Sequence, residues 1–155
     1  MSGSNNRENQ AEARYDSLLL QNQLCFPLYA CAKEIVRRYK PFLDEIDLTY
    51  TQYIAMMVLW EEKSVNVKEL GEKLFLDSGT LTPLLKILEK KQYVKRERSQ
   101  ADERVVNITI TEKGLSLREK AVSIPAQMSG CMKITKEEAQ TLYSLLYKIL
   151  RQTGN

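Results

Sequence analysis

Between Leu81 and Ile110 the apolar residues change period, and few architectures accommodate the change. Leu81, Leu84, Leu85 and Leu88 fall at i, i+3, i+4 and i+7, the buried stripe of an amphipathic helix. Val106, Ile108 and Ile110 alternate instead, as one face of a strand does. YVKRERS is a segment of the same alternating kind, and polar residues from about Gln100 to Arg104 separate the two, so the pair reads as a hairpin. One face of the helix is therefore core, and a basic hairpin follows it directly.

The elements around this pair extend the pattern. In LDSGTLTPLLKILEKKQ the helix starts between Asp77 and Thr80, and Ser78, Thr80, Thr82, Lys86 and Lys90 lie opposite the leucines. Pro83 falls in or just after the first turn, where it costs at most one hydrogen bond. NVKELGEKLF predicts a preceding helix capped by Asn66, with Glu69 three residues on and Val67, Leu70 and Leu74 as its apolar side. Before it come a short extended piece, SVNV, and a helix from about Thr51 to Glu62 that carries the only tryptophan, Trp60. Upstream, Leu20, Leu24, Leu28, Ala32, Ile35 and Tyr39 predict a long helix over 17–39, kinked at Pro27 and broken near Pro41. Downstream, TEKGLSLREKAVSI predicts a helix ended by Pro125. A last helix over 135–151 has Thr135 and Glu138 as its capping box and Leu142, Leu145, Leu146 and Ile149 as its stripe.

The expected fold is therefore mainly α with a small β wing: a winged helix-turn-helix over 50–111 between helical segments 17–49 and 112–151. Residues 1–16 form a disordered lead, and 17–155 a single domain. The terminal segments carry more apolar surface than a domain this small can cover, so they are expected to form a homodimerisation region.

Composition narrows the function. The chain lacks histidine, which removes Ser-His-Asp and Cys-His nucleophiles and the usual zinc sites. No metal, no cofactor and no enzymatic activity are expected. Cys25, Cys31 and Cys131 are an odd count without close spacing, unlike a secreted disulfide framework. No apolar run reaches the roughly 18 residues of a membrane span, and MSGSNNRENQAEAR lacks a signal core, so a cytoplasmic protein with no membrane partner is expected. The net charge of +3 says little by itself. Its distribution says more: Lys86, Lys90, Lys91, Lys95, Arg96, Arg98 and Arg104 crowd one stretch, against Glu89, Glu97, Asp102 and Glu103. On charge alone such a stretch is a solvated face. Behind a helix-turn-helix it predicts binding to double-stranded operator DNA. Ser78, Gly79, Thr80 and Thr82 stand at the tip of the recognition helix with Lys86 behind them. Arg96, Arg98 and Arg104 lie on the wing, Arg104 poised for a minor groove. Asp102 cannot favourably face phosphates, and pinning the wing through an arginine is the role open to it. The plainer alternatives are an ordinary amphipathic helix and ordinary turn residues.

DSGTLTPLLKILEKK followed by VKRERSQADERVVNITITEKG resembles the MarR family of dimeric winged-helix regulators, with DER in ADERVV matching the family's wing signature. NQLCFPLYA and YKPFLDEIDLTYTQY resemble its organic-hydroperoxide-sensing branch, a motif that related staphylococcal-type thiol regulators share. The resemblance spans roughly residues 17 to 151. It implies a repressor that releases DNA when a cysteine is oxidised by organic hydroperoxides, with the matching positions Cys25, Tyr29, Tyr39 and Tyr50. Cys25 and Tyr29 share a helix face at i, i+4. Tyr39, fourteen residues from Cys25, would lie about 21 Å along the helix, so Tyr39 and Tyr50 would reach the sulfur from an antiparallel partner. Leu24, Phe26 and Leu28 would give an apolar surrounding suited to organic peroxides. Cys31 points to a different face and reads as packing. Cys131, in the connection AQMSGCMK, is placed to resolve an oxidised Cys25. A MarR-type regulator responding to a small phenolic ligand, a thiol peroxidase using Cys25, a structural role for Cys25, and a helical adaptor that binds no DNA stand as alternatives.

Overall fold

The computed structural model describes residues 15–153. The expected lead over 1–16 lies outside them for residues 1–14. The described chain falls into two compact units, divided between Tyr39 and Lys40.

The first unit has two 3-10 turns, Asp16–Leu18 and Leu20–Asn22, and then most of α1, Cys25–Asp44. The helix expected over 17–39 thus starts later and ends later. Proline explains both ends. Pro27 is the third residue of α1, in the turn whose amides have no intrahelical acceptor, so it does not kink the helix. A helix continuing back past Cys25 would need a Pro27 N–H to bond the Gln23 carbonyl, and proline has none. Pro41 lies inside the helix instead of breaking it. It is exposed, so the Arg37 carbonyl that it cannot bond is open to water, and the Lys40–Asp44 ion pair at 2.7 Å spans the same turn.

The second unit holds the core. Helix α2, Tyr50–Glu62, is capped by Thr49, which exchanges hydrogen bonds with Gln52. Strand β1 is Ser64–Asn66, and α3 is Val67–Leu74, with Asn66 accepting from the Glu69 N–H at 2.9 Å. Helix α4 is Ser78–Lys90, and the hairpin is β2, Val94–Arg98, with β3, Val106–Ile110. All contacts in the sheet are antiparallel in the order β1-β3-β2, so SVN adds a third strand through Val65 opposite Ile108. Met56, Leu59, Leu70, Leu81, Leu85, Leu88 and Ile108 are fully buried together. Each such side chain contributes about 1.5–3 kcal/mol by leaving water.

Helix α5 is Glu112–Ala121, capped by Thr111. Pro125 does not end it. Pro125 is the second residue of a separate short helix, α6, Ile124–Ser129, a position that tolerates proline because its N–H would be unpaired. Helix α7 is Lys136–Thr153, and Thr135 and Glu138 cap it reciprocally, at 2.7 and 3.2 Å. The chain alone leaves the terminal helices uncovered. Leu43 is the only buried residue of α1, while on α7 Leu142 and Leu145 are about half exposed, at 48% and 53%. Among the described residues no helix is long and apolar enough to cross a membrane.

Candidate DNA-reading surface and thiol site

Helices α3 and α4 meet at a tight turn. Phe75 takes the left-handed conformation (φ 53°) as the C-cap of α3, and Leu76 N–H bonds the Gly71 carbonyl at 3.0 Å. Gly71 is required there, since a β-carbon would lie 2.7 Å from the Leu76 carbonyl oxygen. Asp77 then caps α4. Its Oδ1 accepts from the Thr80 N–H at 2.9 Å and its Oδ2 from the Thr80 hydroxyl at 3.0 Å. Those two bonds, the backbone one first, hold the Asp77 carboxyl below the usual carboxylate range. Gly79 has a local reason to be glycine: a β-carbon would stand 2.9 Å from Asp77 Oδ1. Thr82 donates its hydroxyl to the Ser78 carbonyl at 2.7 Å. Ser78, Gly79, Thr80, Thr82 and Lys86 are all exposed on one end of α4.

The wing divides its arginines between two tasks. Arg96 pairs across the ladder with buried Ile108, so it lies on the inner face. Its guanidinium stands 3.7 Å from the Glu89 carboxylate, its backbone N–H bonds the same group at 3.2 Å, and its Nε is buried without a partner. It braces α4 against the wing. Arg98 is exposed, opposite Val106. At the tip Asp102 Oδ1 accepts from both the Arg104 N–H (3.0 Å) and its Nε (3.2 Å), and the Arg104 side chain is 92% exposed. Asp102 thus orients an arginine that projects from the loop.

Cys25 is the first residue of α1 and is exposed. A helix beginning at residue 17 would have placed Cys25 in the helix interior instead. Tyr29 follows one turn later, exposed, with Lys33 Nζ 6.0 Å above its ring. Tyr39 is half-buried on the same helix. Tyr50 opens α2, and its partial burial raises the phenol above its ordinary range, keeping it protonated and able to donate. Leu24 and Phe26 remain open in the single chain. Cys31 is exposed, not packed. Cys131 lies just beyond α6, its Sγ 3.5 Å from the Gln127 carbonyl, so the connection around it is partly helical.

Spacing alone does not mark Asp77 as the cap of α4 or Glu89 as the partner of Arg96. An aspartate three residues before a threonine at a helix start is a capping signal that could have found Asp77. Glu89 had none, because its partner Arg96 is set by the packing of helix on sheet.

The family model described as transcriptional regulator SarA/Rot matches residues 37–121. The organic hydroperoxide resistance transcriptional regulator of Bacillus subtilis (strain 168) is 48% identical over 139 residues, 90% of this chain and 95% of that protein. Reduced AbfR bound to DNA superposes with a TM-score of 0.72 at 35% identity, covering 86% of this chain and 93% of that one. AbfR, from Staphylococcus epidermidis, is also known in a disulfide-formed state, which superposes with a TM-score of 0.57 at 36% identity over 92% and 94% of the two chains.

Proposed function

This chain belongs to the SarA/Rot family of MarR-type winged-helix transcriptional regulators, and we propose that it is a homodimeric repressor that releases operator DNA when organic hydroperoxide oxidises Cys25. One observation carries the reading: Cys25 stands exposed at the head of a helix, one turn from Tyr29, in a chain 48% identical to an organic hydroperoxide resistance regulator. The protein acts in the cytoplasm, where thiols are kept reduced.

The chemistry uses the chain's own sulfur. The Cys25 thiolate attacks the terminal oxygen of ROOH and the O–O bond breaks. The alkoxide takes a proton and leaves as ROH, and sulfur, oxidised by two electrons, becomes a sulfenic acid. Tyr29, and Tyr39 and Tyr50 of a second copy, supply phenol hydrogen bonds to sulfur. The uncovered stripes of α1 and α7 are the apolar surface such a dimer buries. One oxidation serves one switching event, so no turnover is required. The test is a gel shift on the protein's own upstream DNA with and without cumene hydroperoxide, in which loss of the shifted band on oxidation supports the reading and an unaltered band opposes it.

Two predictions belong here. Arg104→Ala should weaken specific binding by about tenfold, the worth of one good groove contact, with the largest loss on A·T-rich flanks and no change in the unfolding midpoint. Fluorescence anisotropy on paired duplexes checks it, and unchanged affinity would remove the wing from recognition. Cys131→Ser should abolish a covalent dimer that peroxide forms in the wild type. The Cys131 thiol attacks the sulfenic sulfur, water leaves, and an intersubunit disulfide forms once the Cα atoms come within about 7 Å. Non-reducing electrophoresis reads it. A wild type that stays monomeric on the gel would instead assign resolution to a small thiol.

A further inference from the structure

The exposed side of α4 presents Ser78, Thr80, Thr82, Pro83, Lys86 and Ile87. A hydroxyl has one hydrogen to give and two lone pairs to receive, and both threonines have already given theirs. Thr80 donates to the Asp77 carboxylate and Thr82 to the Ser78 carbonyl. The direction is fixed chemically: a carbonyl has no hydrogen, and Asp77 is held ionised by the bonds it accepts. Each threonine therefore turns only lone pairs outward. Pro83 adds to this, since without an N–H it cannot pair the Gly79 carbonyl four residues back.

Phosphate oxygens accept and do not donate, so threonines in this state have nothing to offer the DNA backbone. Guanine N7 and O6, adenine N7 and thymine O4 are acceptors too. The hydrogen-bond donors in the major groove are the amino groups of adenine and cytosine. On the same helix Pro83 and Ile87 are exposed, Ile87 with 44% of its surface open, apolar groups able to meet a thymine methyl. The A·T pair is the one pair that shows both an amino group and a methyl in that groove. The face carries no arginine, asparagine or glutamine, and the donors it keeps for a guanine edge are the Ser78 hydroxyl and the lysine ammonium groups.

We propose that Thr80 and Thr82 are base-reading acceptors: each takes a hydrogen bond from an adenine amino group in the major groove, and neither holds a phosphate. The proposal rests on the reading of α4 as the DNA-recognition helix. Its central prediction separates specificity from affinity. Thr82→Val keeps size and β-branching, so it should lower affinity for a specific duplex while leaving non-specific binding unchanged.

The experiment uses the full-length protein and a duplex that the wild type itself selects from a random-sequence pool. Each adenine is replaced in turn by purine, which lacks only the amino group, and binding is measured for wild type, Thr80→Val, Thr82→Val and Thr82→Ser. Loss of one amino group should cost the wild type roughly five- to tenfold at particular positions. At one of them the same loss should cost Thr82→Val almost nothing further, while Thr82→Ser behaves as wild type. Thr80→Val should silence a different position, with its far-ultraviolet circular dichroism confirming that α4 is still formed. If the valine variants weaken selected and random duplexes alike, the threonines are backbone contacts and the proposal is overturned. It is also overturned if no purine substitution costs the wild type anything. A wild type that selects no sequence at all would instead defeat the DNA-binding reading beneath it.

Discussion

Gly114→Ala should cost about 3 kcal/mol or more of folding stability, at the upper end of what overpacking does. A β-carbon at Gly114 would stand 2.1 Å from the Tyr93 carbonyl oxygen and 3.0 Å from a side-chain carbon of Ile110. The first is backbone, and no rotamer change relieves it. That backbone is also fixed from other sides. Thr111 N–H bonds the Tyr93 carbonyl at 3.0 Å, and the Gly114 N–H bonds the Thr111 hydroxyl at 3.0 Å. The buried Trp60 indole donates to the Gly114 carbonyl at 2.8 Å. To admit a methyl group, the start of α5 must leave the base of the wing, and the Trp60 bond goes with it. With an m-value of about 1–3 kcal/mol per molar for urea, the midpoint should fall by at least about 1 M. Gly130→Ala is the control: its backbone is already helical (φ −63°) and a β-carbon there meets only ordinary contacts from 3.5 Å outward, so it should change stability by less than about 1 kcal/mol. Equal midpoints for Gly114→Ala and wild type would mean that α5 does not approach Tyr93 as described.

Cys25→Ser should abolish the peroxide response while leaving DNA affinity within about twofold of wild type. Serine fills nearly the same space at an exposed position, and surface changes of this kind stay within about 0.5 kcal/mol. None of the side chains proposed to read DNA shares its unit. Its hydroxyl, however, does not reduce a peroxide. The size of the lost effect can be bounded. Moving an operator from 99% bound to 1% bound takes about a 10⁴-fold change in affinity, near 5.5 kcal/mol. One oxygen atom on an exposed sulfur is a small perturbation for so large a shift. A disulfide that pulls α1 of one subunit toward the segment after α6 of the other is a larger one, which is why Cys131 matters to the account. Release of DNA from Cys25→Ser by cumene hydroperoxide would place the sensor at Cys31 or Cys131.

The parts of this molecule governed by neighbours in sequence were readable from it. Leu81, Leu84, Leu85 and Leu88 are all buried as their spacing requires, and the Thr135–Glu138 box forms as written. The prolines depart from their expected roles for two reasons. Pro27, expected inside a helix, and Pro125, expected to end one, each stand just after a helix start, where the missing N–H costs nothing. Pro41, expected to break a helix, lies inside one at an exposed position. Contacts between distant residues were not readable: β1 against β3, Arg96 against Glu89, and Trp60 against Gly114, a pair 54 residues apart. The residue types of the proposed thiol site stand in the sequence, but the position of Cys25 at the head of α1 depended on where that helix begins.

The central claim is that the oxidation state of Cys25 sets DNA occupancy. It is tested most directly by titrating the wild-type protein, bound to its own upstream duplex, with less than one equivalent of cumene hydroperoxide at a time. In each sample, peptide mass spectrometry reads the fraction of Cys25 oxidised and fluorescence anisotropy reads the fraction of DNA bound. The account predicts that bound DNA falls in step as oxidised Cys25 rises, and that a reducing thiol reverses both changes. Fully oxidised Cys25 with DNA still bound, or DNA released while Cys25 remains a thiol, would contradict it.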